Sequence, residues 1–573
     1  MNDAVIPDLQ APPAPDAAAP LTRLTAATLS AAALLAACGG GGGDAPAPAP
    51  SGAAPAPGPT PAPAPAPQAI APAAAARFLA QATLGAGRSD IAAVQANGFA
   101  AWIEAQFALA QSQSHYDWLV AHGYNDEKYR NNPSGLDNTI WRKLIASPDA
   151  LRQRVTLALS EICVVSVLGV STQWRQFAVA NYLDLLENNA FGNYRTLLGQ
   201  ISLSTAMGYY LTFRGNAKAN ATTGSQPDEN YARELMQLMT LGLYQLNADG
   251  TPQATETYGQ ADVSGLARVF TGWDLDSAGL ASPLPPDVHR RPMAQVASRY
   301  ETGAKAFLGA TIAAGALASA GLNTALDTLF AHPNLPPFIS RQLIQRLVTS
   351  NPSPAYVARV AAVFADNGAG VRGDMKAVVR AILLDAEARD LTNAAAPSFG
   401  KLREPVIRFL NWARAFGATS ASDAWAINDL TDPATKLGQS PMRSPSVFNF
   451  FRPGYVPPNS AIAAGGLAAP EFQITTESSV AGYVNFMQST VSGAGVGDLK
   501  TGYPTLLPLA ADSRALLAEL NLVLAANQLS AATLATLASA LDSIAAGSDS
   551  GKLNRSYAAL TLVLASPEYI VQK

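Results

Sequence analysis

The sequence predicts a mostly α protein: a large multi-helix assembly with little β structure, preceded by a disordered tether rich in Ala, Pro and Gly. Three observations carry this reading. Apolar residues recur at helical spacing in segment after segment between residues 73 and 573, and the alternation of a half-buried strand is scarce. Residues 44–72 are almost wholly Ala, Pro and Gly, carry no charge after Asp44, and cannot bury a core. No second Pro/Gly-rich linker follows, so residues 73–573 read as one helical domain in one or two lobes.

Taken in order, Ser89 is placed to cap a helix over Asp90 to Asn97 that stops at Gly98. Phe99 to Ala110 follows, with Trp102, Ile103 and Phe107 on one face. Ser147-Pro148-Asp149 opens the next helix, whose buried face is Leu151, Val155, Ala158, Leu159 and Ile162. Tyr356 to Asp366 and Met375 to Arg389 are predicted helices separated by a turn at Asn367-Gly368-Ala369-Gly370. Three amphipathic helices are expected at the C-terminal end, over 513–527, 530–546 and 555–566. Asn247-Ala248-Asp249-Gly250 suits a tight hairpin turn. With Thr251 it resembles half a calcium loop, but its glycine stands at the fourth loop position instead of the sixth, so the turn is preferred.

Residues 1–37 resemble a bacterial lipoprotein signal. The apolar run from Leu24 to Ala37 is too short to cross a ~30 Å hydrocarbon core. It ends in Leu35-Ala36-Ala37-Cys38, followed by Gly39 to Gly43, as a lipobox would. The resemblance implies cleavage before Cys38 and lipidation of its thiol. Arg23 is the only cation ahead of the apolar run and Asp3, Asp8 and Asp16 precede it, so the alternative is an Ala-rich N-terminus with a chance cysteine. The linker over 38–72 then acts as a spacer of polyproline II character, rising about 3.1 Å per residue. Gly39, in place of aspartate, permits outer-membrane sorting in a Gram-negative cell. With two cysteines in all, Cys38 and Cys163, no internal disulfide is expected, and Cys163, in an apolar stretch, reads as a buried inert thiol. The net charge of −4 argues against nucleic acid as a partner.

The strongest local pattern is Pro227 to Gly242, a helix with acids at its start and glycine at its end. Glu229 and Arg233 are four apart and able to pair. Glu234 falls at the rim of the apolar face and needs a partner; Arg233 or Arg268 is expected within hydrogen-bond reach. Tyr258 to Trp273 forms a second short helix, with Asp262 in its first turn and Gly272 as its stop.

These two segments resemble the bacterial family known as domain of unknown function 1800. Its recurrent patterns are close to D-E-N-(aromatic)-A-R-E-L-M-x-L-x-T-L-G and Y-x-x-x-D-V-x-x-x-A-R-x-x-T-G-W. Further resemblances lie in Ala76 to Gly87, in His332-Pro333-Asn334 with Phe338 to Leu343, and in Ser444 to Tyr455. Where many members carry His-Asp before a G-x-K-x-x-L-G element, this chain has Tyr300-Glu301 before Gly303 to Gly309, which removes the ground for a metal role there. The resemblance implies export, and a partner from a co-exported family that looks like sulfatases and phosphatases.

Asp228, Glu229, Glu234 and Asp262 are the candidate catalytic or cation-binding acids, with Ca²⁺ or Mg²⁺ as the fitting divalent cation. Asn230, Arg233, Arg268 and Trp273 are the candidate binding residues. The competing reading is a lattice of caps and ion pairs. The four histidines, His115, His122, His289 and His332, form no zinc spacing, and His332 reads as a turn or cap residue. No nucleophile elbow, P-loop or dinucleotide fingerprint is present. Phe448, Phe450, Phe451 and Tyr455 around Arg452 suit either stacking on a ligand or packing into the core.

Two functions follow. The first is an exported, membrane-tethered lipoprotein acting as a binding or scaffold component of a cell-surface or periplasmic complex. The second is a secreted hydrolase of glycan or polymer with an acidic site around Glu234 and Asp262. The anchor is tested by Cys38→Ser, which is expected to abolish lipidation and either release the protein from membranes or block its processing; unchanged fractionation and an unchanged mature N-terminus would count against a lipid anchor.

Overall fold

The computed structural model describes residues 69–494 and 496–573, so the signal, Cys38 and nearly all of the linker lie outside the described residues. Twenty-four α-helices make up most of this body, and its strands, of two to five residues, pair only two by two among the described residues. The mostly α expectation holds.

Local chemistry explains most boundaries. The helix Arg88–Asn97 starts one residue before Ser89, because Gly87 is the cap and Asp90 accepts its N–H at 2.8 Å. Phe99–Ala108 buries Trp102, Ile103 and Phe107 as its periodicity requires. The single helix expected over 375–389 is two, Met375–Leu384 and Ala386–Arg389. Asp385 takes an extended conformation between them and its carboxylate caps the Glu387 N–H at 2.8 Å. The last long helix, Asp549–Ala565, begins six residues before the expected Arg555 because Ser548 caps it. Tyr244–Leu246 and Pro252–Glu256 pair antiparallel around the Asn247–Gly250 turn, as predicted. His332 ends the helix Ala318–Ala331 and its Nδ1 accepts the Asn334 N–H at 3.1 Å. Cys163 is fully buried, and burial pushes its thiol up to about 12, which leaves it inert.

Helix Leu335–Leu347 lies between Ala150–Ser160 and Pro354–Ala365, and its inner face meets charges from three other segments. Arg346 Nε stands 3.4 Å from the Glu161 carboxylate, and its guanidinium donates to the Glu161 carbonyl at 2.9 Å. Arg154 and Lys401 both donate to the Arg346 carbonyl, at 2.6 and 2.8 Å. Lys401 also reaches Glu471 at 3.1 Å and Glu404 at 3.8 Å, while Gln439 donates to Glu404 at 2.6 Å. All of these side chains are buried.

Burial and the Glu404 charge hold the Glu161 carboxyl well above the usual glutamate range. Burial would raise Glu404 too, but Lys401, the Glu161 carboxyl and Arg154 outweigh it and hold Glu404 low. Of the two, Glu161 is the one pushed toward its protonated form.

The same place closes the chain. Val571–Gln572 pairs antiparallel with Lys401–Leu402, and Gln572 donates to the Leu347 carbonyl at 2.8 Å. Arg77, on the first described helix Pro72–Ala82, donates to the Lys573 carbonyl at 3.0 Å.

Two substitutions separate the roles of the paired glutamates. Glu404→Gln removes one of the two anions near Lys401 and the one that faces Arg154, and is expected to cost about 3–5 kcal/mol. Glu161→Gln replaces a neutral acid by a neutral amide and is expected to unfold near the wild-type temperature. A carboxyl raised on folding contributes stability that is full at low pH and is lost as pH rises above the ordinary glutamate value. The Glu161→Gln protein should therefore gain on wild type in thermal unfolding as pH rises above the ordinary glutamate value.

Candidate functional site

The acids singled out in the sequence do not gather. Asp228 accepts the Asn230 N–H at 2.8 Å and the Thr212 hydroxyl at 2.7 Å. Asn230 itself donates to Thr212 at 3.3 Å. Glu229 accepts from Ser264 at 2.6 Å, from Gln260 at 2.8 Å and from Arg233 at 3.1 Å, and these bonds hold its carboxyl below the usual range. Asp262 accepts the Gly259 N–H at 2.9 Å and the Leu308 N–H at 2.7 Å. Its helix, Gln260–Ala267, lies so close to the hairpin of Lys305–Phe307 and Ala310–Ile312 that a Cβ on Gly265 would fall 1.8 Å from the Ala306 carbonyl. Trp273 is buried and donates to the Val269 carbonyl at 3.3 Å.

The expected partner of Glu234 is absent. Arg233 goes to Glu229 and Gln260, and Arg268 stands 3.6 Å from Glu301, the residue that departs from the family pattern. Glu234 is half-buried, burial raises its carboxyl, and its Oε2 receives no hydrogen bond among the described residues. Its position at the rim is as the periodicity predicted; the missing counter-ion is the correction. Among the described residues these acids form no converging group, and nothing in the geometry favours polymer hydrolysis.

The group of His, Asp and Glu that does converge among the described residues is His115, Asp184 and Glu187, with ligand atoms within 4.8 Å of one another. These are already committed. Glu187 bonds Lys143 Nζ and stands 3.1 Å from His115 Nε2. Burial would raise Glu187, but His115 and Lys143 pull it down to about 2. Asp184 accepts the His115 and Tyr116 N–H groups at 2.7 and 3.0 Å. This is an internal ion network in the core.

The prominent cavity lies elsewhere, on the far side of the motif helix. It has a volume of about 730 Å³. After one α turn, Asn230–Glu234, the helix widens into a π segment, Leu235–Thr240, in which Thr240 Oγ donates to the Leu235 carbonyl at 2.6 Å and Leu241 N–H to Met236 at 2.7 Å. Such widened turns recur at functional sites. Gln237 and Leu238 of this turn form one wall. Gly242 ends it with φ of +75°, and a Cβ there would meet the Phe338 ring at 2.8 Å. The facing wall is one stripe of Leu335–Leu347: Phe338, Arg341, Gln342 and Gln345. That stripe stands at i, i+3, i+4 and i+7 in the sequence, a polar-aromatic face where a core helix would be apolar; this signal was available and the sequence reading did not use it.

Val447, Phe448 and the turn Arg452 to Val456 form the third wall, and Glu161 with Arg346 line its base. The aromatic cluster thus divides. Phe451 is buried, whereas Phe448 and Tyr455 are half-buried and face the cavity. Arg452 lies over the Phe448 ring at 4.9 Å. Leu243, Tyr244 and Val456 leave 51, 48 and 41 % of their surface exposed at the rim, an apolar collar of the kind that marks binding sites.

The family described as "Protein of unknown function (DUF1800)" matches residues 77–571, and the chain belongs to it. Neither a curated protein nor a solved structure matches the chain. Three of the segments that carry the family resemblance, 227–242, 332–343 and 444–455, supply walls of the cavity.

Since Glu234 lacks a counter-ion, Glu234→Gln is expected to unfold at or above the wild-type temperature. Asp262→Ala, which removes a cap and the tie to Leu308, is expected to lose about 1–2 kcal/mol in the same assay.

Proposed function

We propose that the protein is an exported, lipid-anchored binding component whose folded body captures a ligand or partner segment in the cavity between the π turn and the Leu335–Leu347 helix. One observation carries this. Three segments far apart in the chain, each bearing a family motif, converge to line a single large apolar cavity, and they do so with side chains that the core does not need. Packing alone would fill such a space. Its volume lies in the range of sites that hold small molecules or a few residues of a peptide. Export and anchoring rest on the lipobox-like 35–38 segment and the Ala/Pro-rich spacer, which would hold the body away from the membrane. A co-exported sulfatase- or phosphatase-like protein is the partner class that the family resemblance implies.

The test is site-specific photocrosslinking in the native cell. A benzophenone side chain in place of Tyr244, at the rim, should give a discrete adduct. Leu238→Trp, which fills the cavity, should remove that adduct without changing the protein's abundance. An adduct pattern identical in both proteins, or no adduct at all, would overturn the binding reading.

A further inference from the structure

We infer that the cavity is built for an amphipathic anion, an apolar or aromatic body ending in one carboxylate or phosphate group. This rests on the binding reading above and adds the chemistry of what is bound. The argument is one of charge in an apolar place. Most of the lining is aliphatic or aromatic, with Leu238, Leu243, Tyr244, Phe338, Phe448 and Tyr455 among it. Set into it are three arginines, Arg341, Arg346 and Arg452, and a single acid, Glu161.

Arg346 belongs to the buried network through Glu161. The other two have no carboxylate partner among the described residues. Arg341 is exposed at the cavity and makes one long bond, 3.3 Å to the Gly250 carbonyl. Arg452 is held over the Phe448 ring and its side chain donates no hydrogen bond among the described residues. A guanidinium carries five donors in a planar fork that matches a carboxylate or phosphate. Both forks are solvent-exposed and have no carboxylate partner among the described residues, so they are free to close on an anion whose body enters the apolar cavity. The one acid in the lining, Glu161, is buried and faces Arg346 at 3.4 Å, so it presents no free carboxylate to the cavity. Apolar surface for the body, unpaired guanidinium groups for the head and no free carboxylate against it together define the ligand class.

Isothermal titration of the full chain with four probes, each below its micelle concentration, tests this. Dodecanoate and dodecyl phosphate should bind, and their ratio distinguishes a carboxylate from a phosphate head. Dodecyltrimethylammonium, with the same tail and opposite charge, should bind at least about tenfold more weakly, a difference of about 1.4 kcal/mol. Acetate, a head without a body, should not bind measurably. Arg341→Gln and Arg452→Gln should each weaken dodecanoate about tenfold, with the cationic probe unaffected and the thermal unfolding temperature unchanged. Equal affinity for the anionic and cationic probes, indifference to both arginine substitutions, or no binding of either anion would overturn the inference. If the Tyr244 adduct persists in cells while the anions fail to bind, the binding reading stands and this assignment of its chemistry falls; if both fail, both fall.

Discussion

A cluster of three carboxyl groups and three cations lies under the cavity and in the path of five chain segments: Arg154 and Glu161, Arg346, Lys401 and Glu404, Gln439, and Glu471. Removing so many charges from water is unfavourable, and mutual attraction compensates only if every partner is in place. The two glutamates divide the burden: burial and the Glu404 charge push Glu161 toward its protonated form, while Lys401 and Arg154 hold Glu404 ionised. The arrangement fixes the register of helix Leu335–Leu347 against its neighbours. Arg346 donates to the Glu161 carbonyl at 2.9 Å and its Nε lies 3.4 Å from the Glu161 carboxyl group, which ties that helix to the end of Ala150–Ser160. The same helix presents Phe338, Arg341 and Gln345 to the cavity. The apolar site and the buried charges are two faces of one helix, and the second orients the first.

The motif helix works by a different logic. Its acids do not form a reactive cluster; they cap, tie and brace. Asp228 and Glu229 fasten the helix start to Thr212 and to the Gln260–Ala267 helix, and Asp262 fastens that helix to the hairpin beyond it. Held so firmly at its beginning, the helix reaches the π turn with little freedom, and Gly242 then lets the chain pass directly over the Phe338 ring. The charged residues most prominent in the sequence thus position a wall whose own residues, Gln237 and Leu238, are chemically plain.

Much of this was readable in the residues. Helix positions followed from periodicity, and the boundaries that moved did so because a nearby cap competed: Asp90 over Ser89, Asp385 within an apparently continuous helix, Ser548 ahead of Arg555. The position of Glu234 was readable, its partner was not. The rule that a rim carboxylate needs a counter-ion assumes that it is sealed from water, and Glu234 is only half-buried. The π turn was out of reach, since i to i−5 bonding depends on how the turn is packed and not on residue type. So was the Glu161–Glu404 pair, whose members lie on separate elements far apart in sequence and meet only in the folded chain. The cavity was partly visible: the 338, 341, 342, 345 stripe is a helical face with no apolar reason to exist.

The pairing of Val571–Gln572 with Lys401–Leu402, together with the grip of Arg77 on the Lys573 carbonyl 496 positions away, has a bearing on the order of events in folding. Lys401 sits in the charge cluster, and the strand beside it comes from a distant part of the sequence. The entropy of closing so long a loop has to be met before such a contact is rewarded. The charge cluster is therefore sealed late, after the local helices have formed and packed.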